Sequence, residues 1–273
     1  IATGGPLVVI LNEDDAIKFD IHHMDRVKVK KGKKIDTVVA AIATSARTVP
    51  KGSIGMYEEV LKSLKLKPKD KVSIILARKP LSIEFIKKKL DGRRLNKREI
   101  DQIVWDITHN KLSNSELTYF VAACYTNIMS ARETIILTKA MARHGDTLKL
   151  DRHPVIDKHS IGGIPGNRTT MVLVPIIAAA GLVIPKTSSR SITSPAGTAD
   201  TMEVLAKISF PIKKMKQIVM KYNGCIVWGG SLNLAPADDK IINVERTLGI
   251  DAESQLLASI MAKKHSVSST HII

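Results

Sequence analysis

The part of the chain after Leu150 repeats one pattern, in which a short apolar segment is followed by a polar loop and then by a longer apolar stretch. Val155-Ile156 precedes a glycine-rich loop and the apolar stretch from Thr169 to Ala180, and Val183-Ile184 precedes a loop rich in serine and threonine. Repeated strand, loop and helix segments are typical of an α/β sheet. This part is therefore predicted to be an α/β domain with a mixed or parallel sheet.

The first 78 residues follow a different pattern. Short apolar segments are separated by turn signals, such as the run from Asn12 to Asp15, and one helix is predicted from Met56 to Leu64. This stretch resembles a small β-barrel module. We expect a structural or assembly role for it, because it contains no catalytic set of residues.

From Ser82 the apolar residues recur at helical spacing. Ser113 and Ser130 each stand three residues before a glutamate, which is the pattern of a capping box, and His144-Gly145 suits a helix end. A helical subdomain of about four helices is predicted here. A last helix, from Ala252 to Lys264, is expected to carry Leu256, Leu257, Ile260 and Met261 along one face.

These patterns predict a multi-domain α/β protein. The segment His271-Ile272-Ile273 has the pattern of a strand that begins, so we expect the sheet to be truncated at the C-terminus. The expected domains are a β-barrel-like module (1–79), a helical domain (80–150 plus 236–266) and an α/β phosphate-binding domain (151–235 plus 267–273).

Lysine and arginine give the chain a formal net charge of +16 at pH 7. Such a charge suits either nucleic acid or phosphorylated substrates. The basic residues are spread along the chain, aromatic residues make up only 4% of it, and no nucleic-acid-binding signature is present. Nucleic acid is therefore not the expected partner. The lysine-rich composition with a core of Ile and Val fits a heat-adapted protein.

The expected location is the cytoplasm. No apolar run reaches the roughly 18 residues that a membrane-spanning helix needs, so no membrane partner is expected. The N-terminus lacks a signal-peptide pattern and an initiating Met, and we expect a few native residues to be missing.

Cys124 and Cys225 have no CxxC partner, which predicts two reduced thiols. No histidine cluster has zinc-ligand spacing, and we expect no metal and no other cofactor.

The first loop that suggests chemistry runs from Asp157 to Asn167 with the sequence DKHSIGGIPGN. Glycines let the backbone approach a ligand and expose N–H groups, and the start of the following helix adds a positive dipole. Lys158 and Ser160 add an ammonium group and a hydroxyl. The loop is predicted to bind an anion, although it lacks the GxxxxGK[ST] pattern of a Walker A loop.

The second loop runs from Lys186 to Asp200 with the sequence KTSSRSITSPAGTAD. Its hydroxyls and its arginine suit a phosphate group, although a loop of this composition alone is often only solvated surface. Ligands bind at the carboxyl ends of strands in open α/β sheets. Two such loops at successive strand ends therefore predict one shared site.

These two loops, the segment from Leu234 to Asp238 (LAPAD) and the segment from Ala258 to Lys264 (ASIMAKK) occur in the order found in thymidine phosphorylases and their relatives. Over about residues 80 to 273 the chain resembles this superfamily of nucleoside and nucleotide phosphorylases. The resemblance implies phosphorolysis, in which phosphate is a co-substrate and cleaves an N-glycosidic bond. We expect a homodimer or a higher homo-oligomer.

Departures from the pyrimidine-nucleoside enzymes indicate the branch. Those enzymes usually have GRG followed by HTGGT where this chain has Ser189 to Thr198 (SRSITSPAGT), and Gly163 to Asn167 (GIPGN) replaces GGVGD. With the N-terminal module, this form resembles the archaeal AMP phosphorylases, whose implied reaction converts AMP and phosphate into adenine and ribose 1,5-bisphosphate. A thymidine or pyrimidine-nucleoside phosphorylase remains the alternative, because the pyrimidine-recognising arginine cannot be placed near Glu245-Arg246.

The resemblance also assigns roles to the two loops. It implies that the attacking phosphate is held by Lys158, Ser160, Ser189 and Thr198. It further implies that the nucleotide site is lined by Gly163 and by the loop residues Ser189, Arg190, Ser191, Ile192, Thr193 and Ser194.

On the helical side, the resemblance implies that Ser259 and Lys263 face the base, and residues i and i+4 share one helix face. Asp251, at a helix N-terminus, is the predicted general acid. The helix dipole favours its ionised form, so burial would have to raise its pKa; a capping role is the alternative. His159 is predicted either to contact the base or to be a hydrogen-bonded histidine behind the site.

Two other function classes stay open. Anthranilate phosphoribosyltransferase shares the expected fold, but it would need Mg²⁺ and a pyrophosphate-binding pattern that the first loop does not supply. A non-enzymatic nucleic-acid binder would be recognised by salt-dependent binding.

Overall fold

The N-terminal module is a mixed five-stranded sheet with two helices. The computed structural model describes residues 7–45, 47–159, 168–190, 196–250 and 252–273. The elements of the module are β1 (Val8–Asn12), α1 (Glu13–Lys18), β2 (Arg26–Lys31), β3 (Lys34–Ala43), β4 (Ile54–Met56), α2 (Glu58–Leu64) and β5 (Ser73–Leu76). The strand order is β4-β1-β3-β2-β5, with β1 parallel to β3 and the other pairs antiparallel. Closure of these strands into a barrel stays a prediction.

The run from Asn12 to Asp15 forms no simple turn, so the prediction of a turn there was wrong. The Asn12 side chain accepts a hydrogen bond from the Asp14 backbone N–H at 3.1 Å, and it thereby caps α1. The acidic residues that follow lie in the first turn, where they interact favourably with the helix dipole. Residues that favour turns in isolation therefore start a short helix here.

Four helices follow: α3 (Ser82–Leu90), α4 (Lys97–Thr108), α5 (Asn114–Thr126) and α6 (Ala131–Arg143). The predicted capping boxes are present, because Ser113 with Glu116 and Ser130 with Glu133 satisfy each other's backbone N–H groups. A third box, formed by Asn96 and Glu99, starts α4. The helical prediction for this part is confirmed.

The next part alternates strands and helices, as predicted. Its elements are β6 (Ile156–Asp157), α7 (Thr169–Ala179), β7 (Ile184–Ser188), α8 (Thr198–Glu203), α9 (Ile212–Tyr222) and β8 (Gly224–Trp228). β7 lies parallel to β8, and β6 lies parallel to β9 (His271–Ile272). A parallel bridge between Val155 and Val183 joins the two pairs side by side. The loops after β6 and β7 therefore leave neighbouring strands.

The chain returns to the helices through α10 (Pro236–Leu248) and α11 (Glu253–Ser266). Ala258 and Ala262 of α11 are buried in the same hydrophobic core as α3 to α6. In contrast, Leu257 is 52% exposed, and Leu256 and Met261 are also exposed. The apolar face predicted for this helix is thus its outer side, and small residues form the side that packs.

Separate cores lie under the N-terminal sheet and among the strands of the α/β part. The domain boundaries given above stay predictions. Within the described ranges, no helix combines the length and apolar character needed to cross a membrane.

Candidate phosphate site

The first loop begins at Asp157, the last residue of β6, and its lysine is described by the structure. Lys158 is buried, and its Nζ donates a hydrogen bond to Thr170 Oγ1 at 3.2 Å in the first turn of α7. Ser160 and Gly163 lie in the segment 160–167, outside the described residues. Of the predicted residues of this loop, the structure thus locates Lys158 and His159.

A fully buried carboxylate, that of Asp157, forms the centre of the site. Its Oδ1 accepts a hydrogen bond from the Lys158 backbone N–H at 2.7 Å and lies 3.8 Å from Lys186 Nζ. Its Oδ2 accepts a hydrogen bond from Lys264 Nζ at 2.9 Å. These contacts join β6, β7 and α11 at one point.

Two buried lysines, Lys186 and Lys264, therefore direct their ammonium groups at one carboxylate, and a third buried lysine, Lys158, follows it in the sequence. Burial lowers the pKa of Lys186 to about 8, and the neighbouring lysines add to the effect while Asp157 opposes it. Burial, and then Lys264, also lowers the pKa of Lys158. Buried cations in excess of their counter-charge are costly unless a ligand neutralises them. The cluster is therefore suited to bind an anion.

His159 follows Lys158 and is held by a backbone hydrogen bond, in which its N–H donates to the Ile273 carbonyl at 2.9 Å. Loss of hydration, followed by the charges of Lys264 and Lys186, lowers the pKa of its ring to about 4. The imidazole is therefore neutral at pH 7. A neutral ring both donates and accepts hydrogen bonds, which is compatible with a contact to a nucleobase.

The second loop leaves β7 at Ser188, and Ser189 and Arg190 come next. The Arg190 guanidinium donates to Asp200 at 3.0 Å and to Glu203 at 2.6 and 2.9 Å, and it lies 4.7 Å from the centre of the Trp228 ring. Its charge is therefore engaged by α8 and the end of β8. The structure favours a role for Arg190 in holding this loop.

The other predicted residues of the second loop fall into two groups. Thr198 is the first residue of α8, and Gly197 before it donates its N–H to Asp200 at 2.9 Å. The residues outside the described part of the chain are Ser191, Ile192, Thr193 and Ser194.

On α11, Ser259 and Lys263 are one turn apart, as the sequence predicted, and Ser259 is buried. Lys263 Nζ lies 2.6 Å from Oδ2 of the buried Asp238 in the first turn of α10. Burial opposes the charge of Lys263, but the attraction of Asp238 outweighs it and raises the lysine pKa. Asp251 lies outside the described residues.

A cavity of about 710 Å³ opens between α6 and α11, and Lys264 forms part of its wall. This volume is within the range of about 300 to 1,000 Å³ that is typical of small-molecule sites. Its lining is mainly apolar and includes Ile135, Leu257, Met261 and Ile272. Ser259 and Lys263 lie on another side of α11, so the cavity and the predicted base-facing residues do not coincide.

The sequence interpretation did not name Asp157, Lys186 and Lys264 among the candidate site residues. A signal for Lys186 was present, because a lysine inside the apolar strand segment VIPKTS is unusual in a buried strand. Lys264 stands next to Lys263 in the sequence, but helical geometry turns it by about 100° and toward β6. Only the folded chain shows which of two adjacent lysines meets Asp157.

Comparison with protein families matches two parts of the chain. Residues 83–145 match a family model described as "Glycosyl transferase family, helical bundle domain", and residues 152–268 match one described as "Glycosyl transferase family, a/b domain". Together these matches cover most of the chain.

Curated relatives include the AMP phosphorylases of Methanocella arvoryzae and Pyrococcus furiosus, each 47% identical over 269 residues, and of Thermococcus kodakarensis, 48% identical over 269 residues. Each alignment covers 98% of this chain and 53% of the relative. The chain thus spans about half the length of the curated relatives it matches.

Among solved structures, anthranilate phosphoribosyltransferase from Thermus thermophilus superimposes with a TM-score of 0.60. The sequence identity is 18%, and the match covers 69% of this chain and 56% of that one. The two proteins share a fold.

Proposed function

The chain belongs to the glycosyl transferase family that combines this helical bundle domain with this a/b domain, and we propose that it catalyses the phosphorolysis of AMP to adenine and ribose 1,5-bisphosphate. The curated relatives carry the name AMP phosphorylase, and the present chain matches about half of their length. Phosphorolysis requires a site for an anionic nucleophile beside a site for the base. The buried lysines supply the first requirement.

The excess of buried positive charge around Asp157 is the observation that carries this proposal. A phosphate dianion would be attracted by Lys186 and Lys264, which together contact the single carboxylate of Asp157, and by the neighbouring Lys158. Fixed charges in a buried site stabilise a bound anion more strongly than charges in water. In this proposal Ser160, Ser189 and Thr198 complete the phosphate site.

The reaction needs a second set of groups on the base side. An oxygen of phosphate attacks the anomeric carbon of the ribose, and the electron pair of the N-glycosidic bond leaves with adenine. Adenine must then take up a proton, which we assign to Asp251 as the general acid. Ser259 and Lys263 face the base, His159 contributes a neutral ring, and Gly163 with the loop 189–194 lines the nucleotide site.

The reaction is tested by incubating the purified chain with AMP, CMP, UMP and thymidine in parallel, with and without inorganic phosphate. Free adenine is expected from AMP, and only when phosphate is present. Base release from thymidine alone would favour the pyrimidine-nucleoside alternative. Phosphate-independent release from AMP would indicate hydrolysis and would contradict the proposal.

Asp251 has a test of its own. Asp251→Asn is expected to slow adenine release while the melting temperature stays nearly unchanged, because Asn caps a helix almost as well as Asp does. Unchanged turnover would remove the assignment of the general acid.

We further propose the wider setting of this activity. The three domains with the boundaries given above would enclose the substrate in a cleft between the helical and α/β domains, and closure would bring the acid and the nucleophile together. The N-terminal sheet would close as a barrel-like module and serve assembly of a homodimer or higher homo-oligomer in the cytoplasm. Small-angle scattering of the chain with and without residues 1–79 tests the assembly role.

A further inference from the structure

An ion pair between Asp157 and Lys264 fastens the last helix to the strand that precedes the first loop. Lys264 Nζ lies 2.9 Å from Asp157 Oδ2, and both side chains are buried. The two residues are 107 positions apart in the sequence. The pair is therefore a direct contact between α11 and β6.

Each member of this pair is the sequence neighbour of a lysine that the proposed function places at the substrate. Lys158 follows Asp157, and Lys263 precedes Lys264. The pair also forms hydrogen bonds with the main chain of Lys158. Asp157 Oδ1 accepts from the Lys158 N–H at 2.7 Å, and Lys264 Nζ donates to the Lys158 carbonyl at 3.4 Å. A change in the contact between Asp157 and Lys264 would therefore move Lys158 relative to Lys263.

Stability is a weak explanation for this arrangement. Replacing a buried ion pair by apolar residues of similar volume is often neutral or stabilising, because burial of two charges costs hydration. Here a third charge, Lys186 Nζ, lies 3.8 Å from the same carboxylate and adds to that cost. A geometric requirement is therefore the better explanation for this arrangement.

We propose, on the basis of the function proposed above, that Asp157 and Lys264 are positioning residues that set the separation between the phosphate subsite at Lys158 and the base subsite at Lys263. The pair fixes α11 against β6 at the point where both subsites begin. Reaction geometry is sensitive to this separation, since a misplacement of about 1 Å can cost on the order of a hundredfold in rate.

The test compares the parent chain with Asp157→Asn, Lys264→Met and the double variant. Inorganic phosphate is titrated into each protein by isothermal titration calorimetry, and phosphate-dependent adenine release from AMP is measured at saturating phosphate. Melting temperatures are recorded for all variants. Lys264→Gln keeps a donor for the carboxylate and replaces Lys264→Met if the latter does not fold.

Each single variant is expected to weaken phosphate binding on the order of tenfold. The double variant is expected to bind phosphate as tightly as the single variant with the lower affinity, because the two residues act as a unit. Turnover is expected to stay low at saturating phosphate, since excess ligand does not restore the separation. If Asp157 acted only through its negative charge, its removal would tighten phosphate binding. Unchanged or tighter binding by Asp157→Asn would therefore overturn the positioning role.

The buried pair of Lys89 and Glu133 in the helical bundle is the matched control. Lys89→Met and Glu133→Gln remove a buried lysine or carboxylate that belongs to neither loop and does not contact Asp157, and they are expected to leave phosphate affinity unchanged. Equal losses of phosphate affinity in these controls would reduce the effect to general destabilisation and overturn the inference. If the parent chain binds phosphate but releases no adenine, only the proposed function is contradicted. The phosphate affinities of the variants would still decide the role of the pair. A parent chain that binds no phosphate would overturn both.

Discussion

The helical bundle and the edge of the α/β sheet each bury a lysine beside a carboxylate, but their surroundings differ. In the bundle, Lys89 Nζ lies 3.3 Å from Glu133 Oε1, with the side chains 2% and 3% exposed. Glu133 also accepts hydrogen bonds from the N–H groups of Leu95 and Ser130, at 2.8 and 2.9 Å. One cation and one well-bonded carboxylate form a locally satisfied unit.

At the sheet edge, Lys186 and Lys264 share the single carboxylate of Asp157, and Lys158, whose backbone N–H donates to the same carboxylate, is also buried. The consequences for ionisation are opposite in the two regions. Burial opposes the charge of Glu133, yet its hydrogen bonds from Leu95 and Ser130 outweigh burial and lower its pKa. At the sheet edge burial prevails and lowers the pKa of Lys186 to about 8. The pair in the bundle connects helices, whereas the cluster at the sheet edge places two lysines on one carboxylate and is suited to bind an anion.

The largest expected effect on stability lies in the bundle. Lys89→Met leaves the Glu133 carboxylate buried without its cation, and breaking a buried pair in this way costs about 3 to 5 kcal/mol of unfolding free energy. Chemical denaturation monitored by circular dichroism measures the loss. A loss below about 1 kcal/mol, the usual value for an exposed pair, would show that the two regions do not differ as described.

The largest expected effect on activity lies at the sheet edge. Lys158→Ala removes a charge from the clamp on the nucleophile and is expected to lower phosphorolysis by a factor of about 10² to 10³. Initial rates of adenine release from AMP provide the measurement, and Lys89→Ala serves as the control with an unchanged rate per folded molecule. Near-normal turnover of Lys158→Ala would end its assignment to phosphate.

The response to pH should separate the two regions more finely. Phosphate favours the charged form of Lys186, whose pKa in the free protein is about 8. Above that pH, binding must take up a proton, so phosphate affinity is expected to fall by up to about tenfold per pH unit. Calorimetric titration of phosphate over about two pH units around pH 8 measures this dependence of affinity on pH. In Lys186→Met the affinity should depend much less on pH.

The stability of the fold is expected to respond to the titration of Lys186 in the opposite direction from phosphate binding. A lysine with a lowered pKa binds fewer protons in the folded chain than in the unfolded chain, so its contribution to the unfolding free energy rises with pH from about 8 to the ordinary lysine value. Phosphate binding and stability should therefore change in opposite directions in this window. Parallel changes would show that Lys186 is not the titrating group.

The smallest expected effect lies in the N-terminal module and gives a scale for the others. Asn12→Ala removes the side-chain cap of α1 and the buried hydrogen bond that the Asn12 amide donates to the Val49 carbonyl at 3.0 Å, and it is expected to cost about 2 kcal/mol of unfolding free energy. Phosphate affinity should not change. A loss as large as that of Lys89→Met would mean that α1 supports more of the fold than its single cap suggests.

Local rules predicted most of the helices from the sequence. Capping boxes act over three residues, so Ser113 and Ser130 could be recognised as helix starts without any knowledge of tertiary structure. The same kind of rule misled at Asn12, because a residue that favours turns is also a good N-cap. At this position the following acidic residues decide in favour of a helix.

Non-local features could not be predicted in the same way. The large apolar side chains of α11 suggested a packing face, but Ala258 and Ala262 form the packed side instead. The reason is that α6 lies close to α11, so that only small side chains fit between the two helices. The site residues show the same limit. The lysine loops were recognisable one by one, whereas the meeting of Lys186 and Lys264 at Asp157 depends on how β7 and α11 are placed beside β6.

The separation of 107 residues between Asp157 and Lys264 also has a consequence for how the protein is made. A ribosome releases β6 and both loops well before α11, so the nascent chain holds a carboxylate that cannot yet be buried with its cation. Contacts this distant in sequence form late, after the local helices. We therefore expect the proposed anion site to be among the last parts of the described fold to be completed, so that binding of phosphate by a nascent or refolding chain would report that α11 has docked.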